Sequence, residues 1–560
     1  MDRRLGPGDV ALTLLGDLRT PPRPPDVAAA SRRAPVQPPP ARWFAVLPVV
    51  FVGVFFAWPL VTVLHRGLSV EGLDVLRSGA TWRVVRFTTV QALLSTALTV
   101  GLGLPAAYAV HRLDFRGRRL LLALLTVPFV LPTVVVGAAF RALLPESWSG
   151  TLTAIVVAHV FFNLAVVVRV VGGFWTHLDD RWEQAARTLG AGPVTVWRTV
   201  TWPLLRPAVL AASALVFLFT FTSFGVVLVL GGPTTTTLEV EIYRRTVQLF
   251  DLPGAATLCV LQVVAVLLVL VVAGRLQRRL SVRQRLVRAS SATHPVRSWG
   301  DRAVLGLTLV ETALVALPVL ALVLQSVRVG DHWGLDWWSA LGVEGPTTRD
   351  VSAWDSVRVS LSYAAVAVLI AVVVGGAASC AIAYTRRGSD LLDSGLMLPL
   401  GTSAVTIGFG LLITFAVAPV DLRGSWIIVP IGQALVAIPL VVRTVLPVLR
   451  SLDPRLREVA ATLGSSPGRT WRTVDLPVLS RALGVGAGFA AAVSLGEFGA
   501  TSFLARADAP TLPVEIGRLL SRPGEVNSGR AAALSVVLVV VTALVVLATE
   551  RWRHPSAGAL

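Results

Sequence analysis

The chain has 560 residues, 54% hydrophobic and only 15% charged. A soluble protein carries about a quarter charged residues, and repeated apolar runs of roughly 18 residues or more mark membrane helices, so a soluble enzyme or binding module is excluded. The formal charge of +18 comes from 50 basic residues, all of them arginine. They fall mostly in short links between apolar runs, the positive-inside pattern rather than a nucleic-acid-binding face.

Residues 1–42 are rich in Pro and Arg, with PPRPP at 21–25 and PPP at 38–40. Such a stretch predicts a disordered cytoplasmic tail. It does not read as a signal peptide, because the apolar run begins too late. Twelve spans follow, with expected cores at 43–64, 86–110, 120–144, 151–174, 208–230 and 253–274, then 303–325, 357–384, 391–418, 425–447, 482–504 and 529–549. Arginine-rich links at 111–119, 275–288, 385–389 and 550–554 fall on one side under this count, which assigns that side to the cytoplasm and places both termini there. The expected fold class is an all-α integral membrane protein with about 12 transmembrane helices in two parallel six-helix repeats. Its parts are the tail 1–42, a first half 43–274, a basic cytoplasmic linker 275–302 and a second half 303–553.

The repeat is visible directly. Residues 178–207 read LDDRWEQAARTLGAGPVTVWRTVTWPLLRP and residues 452–481 read LDPRLREVAATLGSSPGRTWRTVDLPVLSR, with 14 of 30 positions identical at a constant offset of 274. Chance does not produce this, so the chain is a tandem duplication. Both copies land on the cytoplasmic side. Each predicts a short helix opened by Asp179 or Asp453, stopped by Gly190 or Gly464, and followed by a second helix with Pro193 or Pro467 at its first position. A small-residue helix lying parallel to the membrane can seat in a groove on a partner. Lying on lipid headgroups alone is the plainer reading. The duplicated Ala-Leu-Gly register favours docking.

Glu458, Val459 and Ala460, then three residues to Gly464 and later Val474-Asp475-Leu476-Pro477, resemble the EAA loop of ABC importer permeases. In the first half Gln184 stands in the Glu position, followed by Ala185, Ala186 and Gly190. The resemblance spans residues 43–553 and implies that each loop is a coupling helix seated in a cleft of a separate ATPase. Gln184 for Glu and Val459 for Ala depart from the pattern, so the two docking sites are expected to be unequal. The coupling residues it implies are Gln184, Ala185, Ala186 and Gly190 with Glu458, Ala460, Ala461 and Gly464. Fused two-half permeases of this kind resemble the ferric-iron and thiamine importers, which pair with an ATPase dimer and an extracytoplasmic binding protein. Without lysine the chain has no GK pair for a Walker A phosphate loop, so any ATPase is another polypeptide.

The 274 offset continues beyond the loop. Phe224-Gly225 matches Phe498-Gly499, and Val240-Glu241-Ile242 with Arg244 matches Val514-Glu515-Ile516 with Arg518. Ser223, Phe224, Glu497 and Phe498 are therefore the candidate translocation path. Glu497 is ionisable within an apolar segment; it either lines a path or makes an interhelical hydrogen bond or ion pair. Glu241 and Glu515 stand three residues before an Arg, helical ion-pair spacing that favours a structural brace. Arg141, near an outer helix end, reads as a snorkelling side chain. Seven scattered histidines and two cysteines in apolar runs give no metal spacing and no disulfide framework. No catalytic or cofactor motif is evident.

The sequence thus reads as a non-enzymatic permease subunit in the plasma (inner) membrane, surrounded by lipid bilayer, with ferric iron expected as substrate and thiamine next. A proton- or ion-coupled carrier of twelve spans is the alternative that span count alone permits.

Overall fold

A computed structural model describes residues 41–280, 293–342, 352–385, 388–416, 421–422 and 424–550. The tail to residue 40 and the middle of the basic linker lie outside the described residues, as do the arginines of the 385–389 and 550–554 links.

Ten helices among the described residues are long and apolar enough to cross a membrane. In the first half these are α1 (Phe44–Gly67), α2 (Gly79–Arg112), α5 (Leu152–Trp175), α7 (Pro193–Phe221) and α10 (Leu252–Arg279). Between them lie α3 (Arg118–Val130) and α4 (Thr133–Leu143), the loop helix α6 (Arg181–Thr188), and α8 (Gly225–Leu230) and α9 (Leu238–Val247). The second half repeats the order. Its long helices are α11 (Trp299–Val327), α12 (Ala353–Tyr384), α15 (Ile428–Ser451), α17 (Pro467–Gly496) and α20 (Glu525–Thr549). Its shorter ones are α13 (Ser389–Gly401), α14 (Ala404–Thr414), α16 (Pro454–Thr462), α18 (Thr501–Leu504) and α19 (Leu512–Ser521). The chain is an all-α integral membrane protein.

Two pairs of expected spans depart from straight rods. The spans read at 120–144 and 391–418 are each broken, with α3 and α4 bent by 106° and α13 and α14 by 97°. In the first, Leu131 is forced into an extended conformation ahead of Pro132. In the second, Ser403 turns extended and its hydroxyl accepts from the N–H groups of Val405 and Thr406, capping a new helix. With each bent pair taken as one span, the total reaches 12. The spans read at 208–230 and 482–504 also shift. Their helices begin at Pro193 and Pro467 and end at Phe221 and Gly496, and the chain breaks before α8 and α18.

Three of the helices contain one π turn, at Gly53–Ala57, Trp197–Thr201 and Trp471–Asp475. Each is followed by Trp-Pro or Leu-Pro, at Pro59, Pro203 and Pro477. Proline cannot donate to the helical ladder and clashes with the preceding turn. The wider turn absorbs that mismatch, so the helix continues without a break.

The halves interlock. α1 packs on α12 and α14 of the second half, and α11 packs on α2 and α4 of the first. α2 has 34 residues, about 51 Å at 1.5 Å per residue. That exceeds a hydrocarbon core of about 30 Å, so its end reaches out to the loops. There Leu113 and Asp114 pair with His294 and Pro295, and Tyr108 donates to Asp301 at 2.9 Å. This ties the start of α11 to the first half. Equivalent hydroxyls of the two halves also do the same job: Thr88 accepts from Leu238 N at 3.0 Å and Ser360 from Leu512 N at 2.6 Å. They serve the first N–H of α9 and α19. At Gly408 a Cβ would stand 2.6 Å from the Ala500 Cα, so only glycine lets α14 meet the chain entering α18.

Candidate coupling loops and translocation path

Each loop helix is built by short polar signals. Asp179 accepts from Arg181 N at 3.0 Å and Asp453 from Arg455 N at 2.9 Å. Gly190 and Gly464 close the helices with φ of +83° and +77°. Ala191 N then reaches the Ala186 carbonyl, and Ser465 N the Ala460 carbonyl. This six-to-one closure needs the left-handed residue before it.

The loops are clamped to the membrane domain by different chemistry. In the first half the buried Arg112 at the end of α2 meets Asp180 at 2.6 Å and Glu183 at 3.7 Å, while Thr201 donates to Glu183 at 2.8 Å. In the second half Arg457 donates to Asp475 at 2.6 Å, and Tyr384 at the end of α12 donates to the same carboxylate at 3.1 Å. The Arg457 guanidinium also lies 5.2 Å from the Tyr384 ring centre. Burial is the largest single influence on the Arg457 pKa and would lower it, but the hydrogen bond and charge of Asp475, together with Tyr384, outweigh it and the net shift is upward.

The opposite side of each loop helix is bare. Leu189 is 88% exposed and Leu463 82% exposed, with Trp182, Leu456 and Val459 also open. Gln184, Ala185 and Glu458 are exposed, and Ala186, Ala460 and Ala461 are half-buried. The eight loop residues singled out in the sequence therefore fall on two short helices with matching turns. Both loops present apolar surface away from the bundle.

On the pseudo-twofold, the candidate path residues separate. Phe224 and Phe498, equivalent by the 274 offset, stack on each other with ring centres 5.2 Å apart. Tyr243 abuts Phe224 at 5.4 Å and Phe503 at 5.5 Å. These rings meet within a buried apolar cluster that runs through both halves. Ser223 is turned aside, hydrogen-bonded to His159 at 2.8 Å. Glu497 accepts from Ala500 N at 2.7 Å and Thr501 N at 2.9 Å, capping α18. These bonds are local, to N–H groups three and four residues on, and are not the interhelical hydrogen bond or ion pair that was one reading of Glu497.

The brace in the outer links has the expected form. Glu241 pairs with Arg244 at 2.8 Å and Arg245 at 2.9 Å, and Glu515 with Arg518 at 3.9 Å. Arg141, expected to snorkel, instead donates to the Leu520 carbonyl at 2.7 Å and joins the halves. Two polar groups escaped the sequence reading. His159 was one of seven scattered histidines. Glu239, in LEVEIY, is fully buried; Gln262 donates to one of its oxygens, and the other has no hydrogen-bond partner among the described residues. The only signal was Glu239 itself, two residues before the paired Glu241.

Residues 99–285 match the family described as binding-protein-dependent transport system inner membrane component. The thiamine transport system permease protein of Brucella abortus (strain 2308) is 29% identical over 508 residues, 84% of this chain and 87% of that protein. Its counterpart in Escherichia coli (strain K12) is 28% identical over 485 residues, covering 80% of this chain and 86% of that one. The molybdenum transport system permease protein of Mycobacterium bovis is 34% identical over 250 residues, 42% of this chain but 94% of its own length. A full-length molybdenum permease thus matches less than half of this chain, and the thiamine permeases match most of it. The chain belongs to the inner-membrane permeases of binding-protein-dependent ABC importers, as a member with two permease halves fused in one polypeptide.

Proposed function

We propose that this permease imports thiamine, driven by a separate ATPase dimer that docks on the two loops. The observation that carries the coupling is the pair of clamped helices, each turning an exposed leucine, Leu189 or Leu463, away from the bundle. A helix fixed on one side and bare on the other transmits a pull from a partner that grips the bare side. The thiamine assignment is supported by similarity along most of the chain to permeases of thiamine systems. Ferric iron, placed first from the sequence, gives way to thiamine on that ground.

In this reading the loops face the cytoplasm and both termini lie there. An extracytoplasmic binding protein delivers substrate to the face carrying α9 and α19. The first half is 43–274, the second 303–553, and 275–302 is the cytoplasmic linker. Phe224 and Phe498 close the path between halves, and closure of the ATPase dimer draws the loops together to part them.

The test is purification of the tagged chain with its ATPase, reconstitution in lipid, and ATP hydrolysis with thiamine-loaded and iron-loaded binding proteins. Stimulation by the thiamine-loaded protein is expected. Stimulation by the iron-loaded protein alone would overturn the substrate assignment. Uptake by the isolated chain down an ion gradient would overturn the coupling.

A further inference from the structure

We propose that a cleft beside the first loop binds the phosphate headgroup of an anionic phospholipid. The cleft lies between α2 and the first turns of α7, has a volume of about 590 Å³, and is lined by Leu104, Trp197, Arg198, Trp202 and Arg206. The Trp197 ring lies tilted against Trp175 at 5.7 Å and Trp202 at 6.3 Å, and the Arg206 guanidinium stands 6.0 Å from the Trp202 ring centre. Arg206 and Arg198 are exposed, and neither makes an ion pair or hydrogen bond among the described residues. Two unneutralised guanidinium groups lining one cleft, Arg206 of them over the Trp202 ring, offer a phosphate forked donors that match its oxygens.

The position favours a lipid as the source. Trp197 and Arg206 are nine residues apart on α7, about 13 Å along a helix axis. α7 leaves the loop at Pro193, so the cleft spans the first turns inside the membrane surface. Tryptophan and arginine at this depth are the residues that hold headgroups, and basic pockets between helices on the cytoplasmic side take anionic ones. Leu104 supplies an apolar wall at the inner end for the start of an acyl chain.

The duplication argues against a role shared by both loops. The positions 274 further on are Trp471, Arg472, Leu476 and Ser480, so the second half lacks the Trp202 and Arg206 equivalents. Its remaining tryptophan is covered as well, with Phe44 of α1 lying 6.2 Å from Trp471. A feature required for coupling would be present twice.

The experiment is native mass spectrometry of the full-length chain in detergent, titrated with phosphatidylglycerol or phosphatidylcholine of the same acyl chains. At least one phosphatidylglycerol is expected to stay bound with a preference of about tenfold or more, which is the scale set by two arginines at a membrane surface. Arg198→Ala/Arg206→Ala is expected to lose that lipid and the preference. Arg198→Lys/Arg206→Lys, which keeps the charge, should retain most of it. Unchanged phosphatidylglycerol retention by a monodisperse Ala variant overturns the proposal, whatever happens to ATPase association. Displacement of the lipid by millimolar inorganic phosphate would mark a site for a soluble anion and overturns it too.

Discussion

Glu183 and Arg457 occupy equivalent positions, 274 residues apart, and carry opposite charges, yet each ties its loop helix to the same place on the next helix. Glu183 accepts from Thr201 at 2.8 Å, and Arg457 donates to Asp475 at 2.6 Å. The partner positions are themselves equivalent and both lie in the π turn. The duplication has kept the strut and inverted its polarity. Arg112 supplies the cation in the first half, and Tyr384 completes the second.

Arg457→Ala leaves the buried Asp475 with Tyr384 and no cation. Removing one partner of a buried pair costs about 3–5 kcal/mol, and the partial exposure of Arg457 places this case near the lower end. The melting temperature of the purified chain should fall clearly. Arg457→Glu/Asp475→Thr with Tyr384→Arg, which supplies the cation that Arg112 gives in the first half, copies the first-half strut and should recover a large part of the loss. A triple variant no more stable than Arg457→Ala would show that the strut does not act as a unit.

The Phe224–Phe498 stack can be tested by locking it. Cys259 and Cys380 are buried, so the background reaction with thiol reagents should be low. In Phe224→Cys/Phe498→Cys, a short bis-thiosulfonate should join the halves and arrest uptake, and a reductant should release it. Continued uptake by the cross-linked protein would remove these residues from the path. The contact itself is a modest one, since an aromatic pair contributes about 0.5–1.5 kcal/mol beyond burial. A closure of that strength can be opened by a partner's pull.

Much of this was readable because duplication doubles every signal. The loops, their glycine stops, the Glu241–Arg244 brace and the equivalence of Phe224 and Phe498 all follow from residues matched at 274; that the two rings touch does not. The helix breaks were not readable, because hydropathy averages over a window and is blind to direction. Residues 120–144 and 391–418 are apolar enough to cross, yet Pro132 and Ser403 turn each through about a right angle. Glu239 was hidden for a related reason. LEVEIYRR looks like a solvated link from its charges, but α9 folds back against α14 of the other half and buries one face. Burial at that interface is a tertiary fact with no local trace.

Gly464 separates backbone strain from bulk at the proposed docking face. Its φ of +77° penalises any L side chain, by about 1–2 kcal/mol, but a Cβ there meets no atom within 4 Å. Gly464→Ala should therefore lower stability slightly and keep most uptake. Gly464→Arg shares the strain and adds bulk, and should abolish uptake while the protein still inserts and purifies. Ala460→Glu, which puts charge on the same short helix, should behave like the Arg variant. Normal uptake by either bulky or charged variant would sink the docking role.

Glu239 and Gln262 should prove to be coupled. Both are buried at a junction of α9 and α10, and they hydrogen-bond to each other. The equivalent position in the second half, 513, is proline. Glu239→Leu removes the acceptor and strands the Gln262 amide, a penalty of about 1–3 kcal/mol for an unsatisfied buried group. Gln262→Leu strands the Glu239 carboxyl, a penalty of the same order, because a carboxyl buried without a cation takes up a proton rather than staying as a lone charge. The double Leu variant has neither orphan, and replacing a buried polar pair by apolar groups of similar size is often neutral or stabilising. Its melting temperature should therefore exceed that of both single variants. A double variant less stable than Gln262→Leu alone would mean that Glu239 has a further partner, and Ser403 at the α13–α14 break would be the place to look.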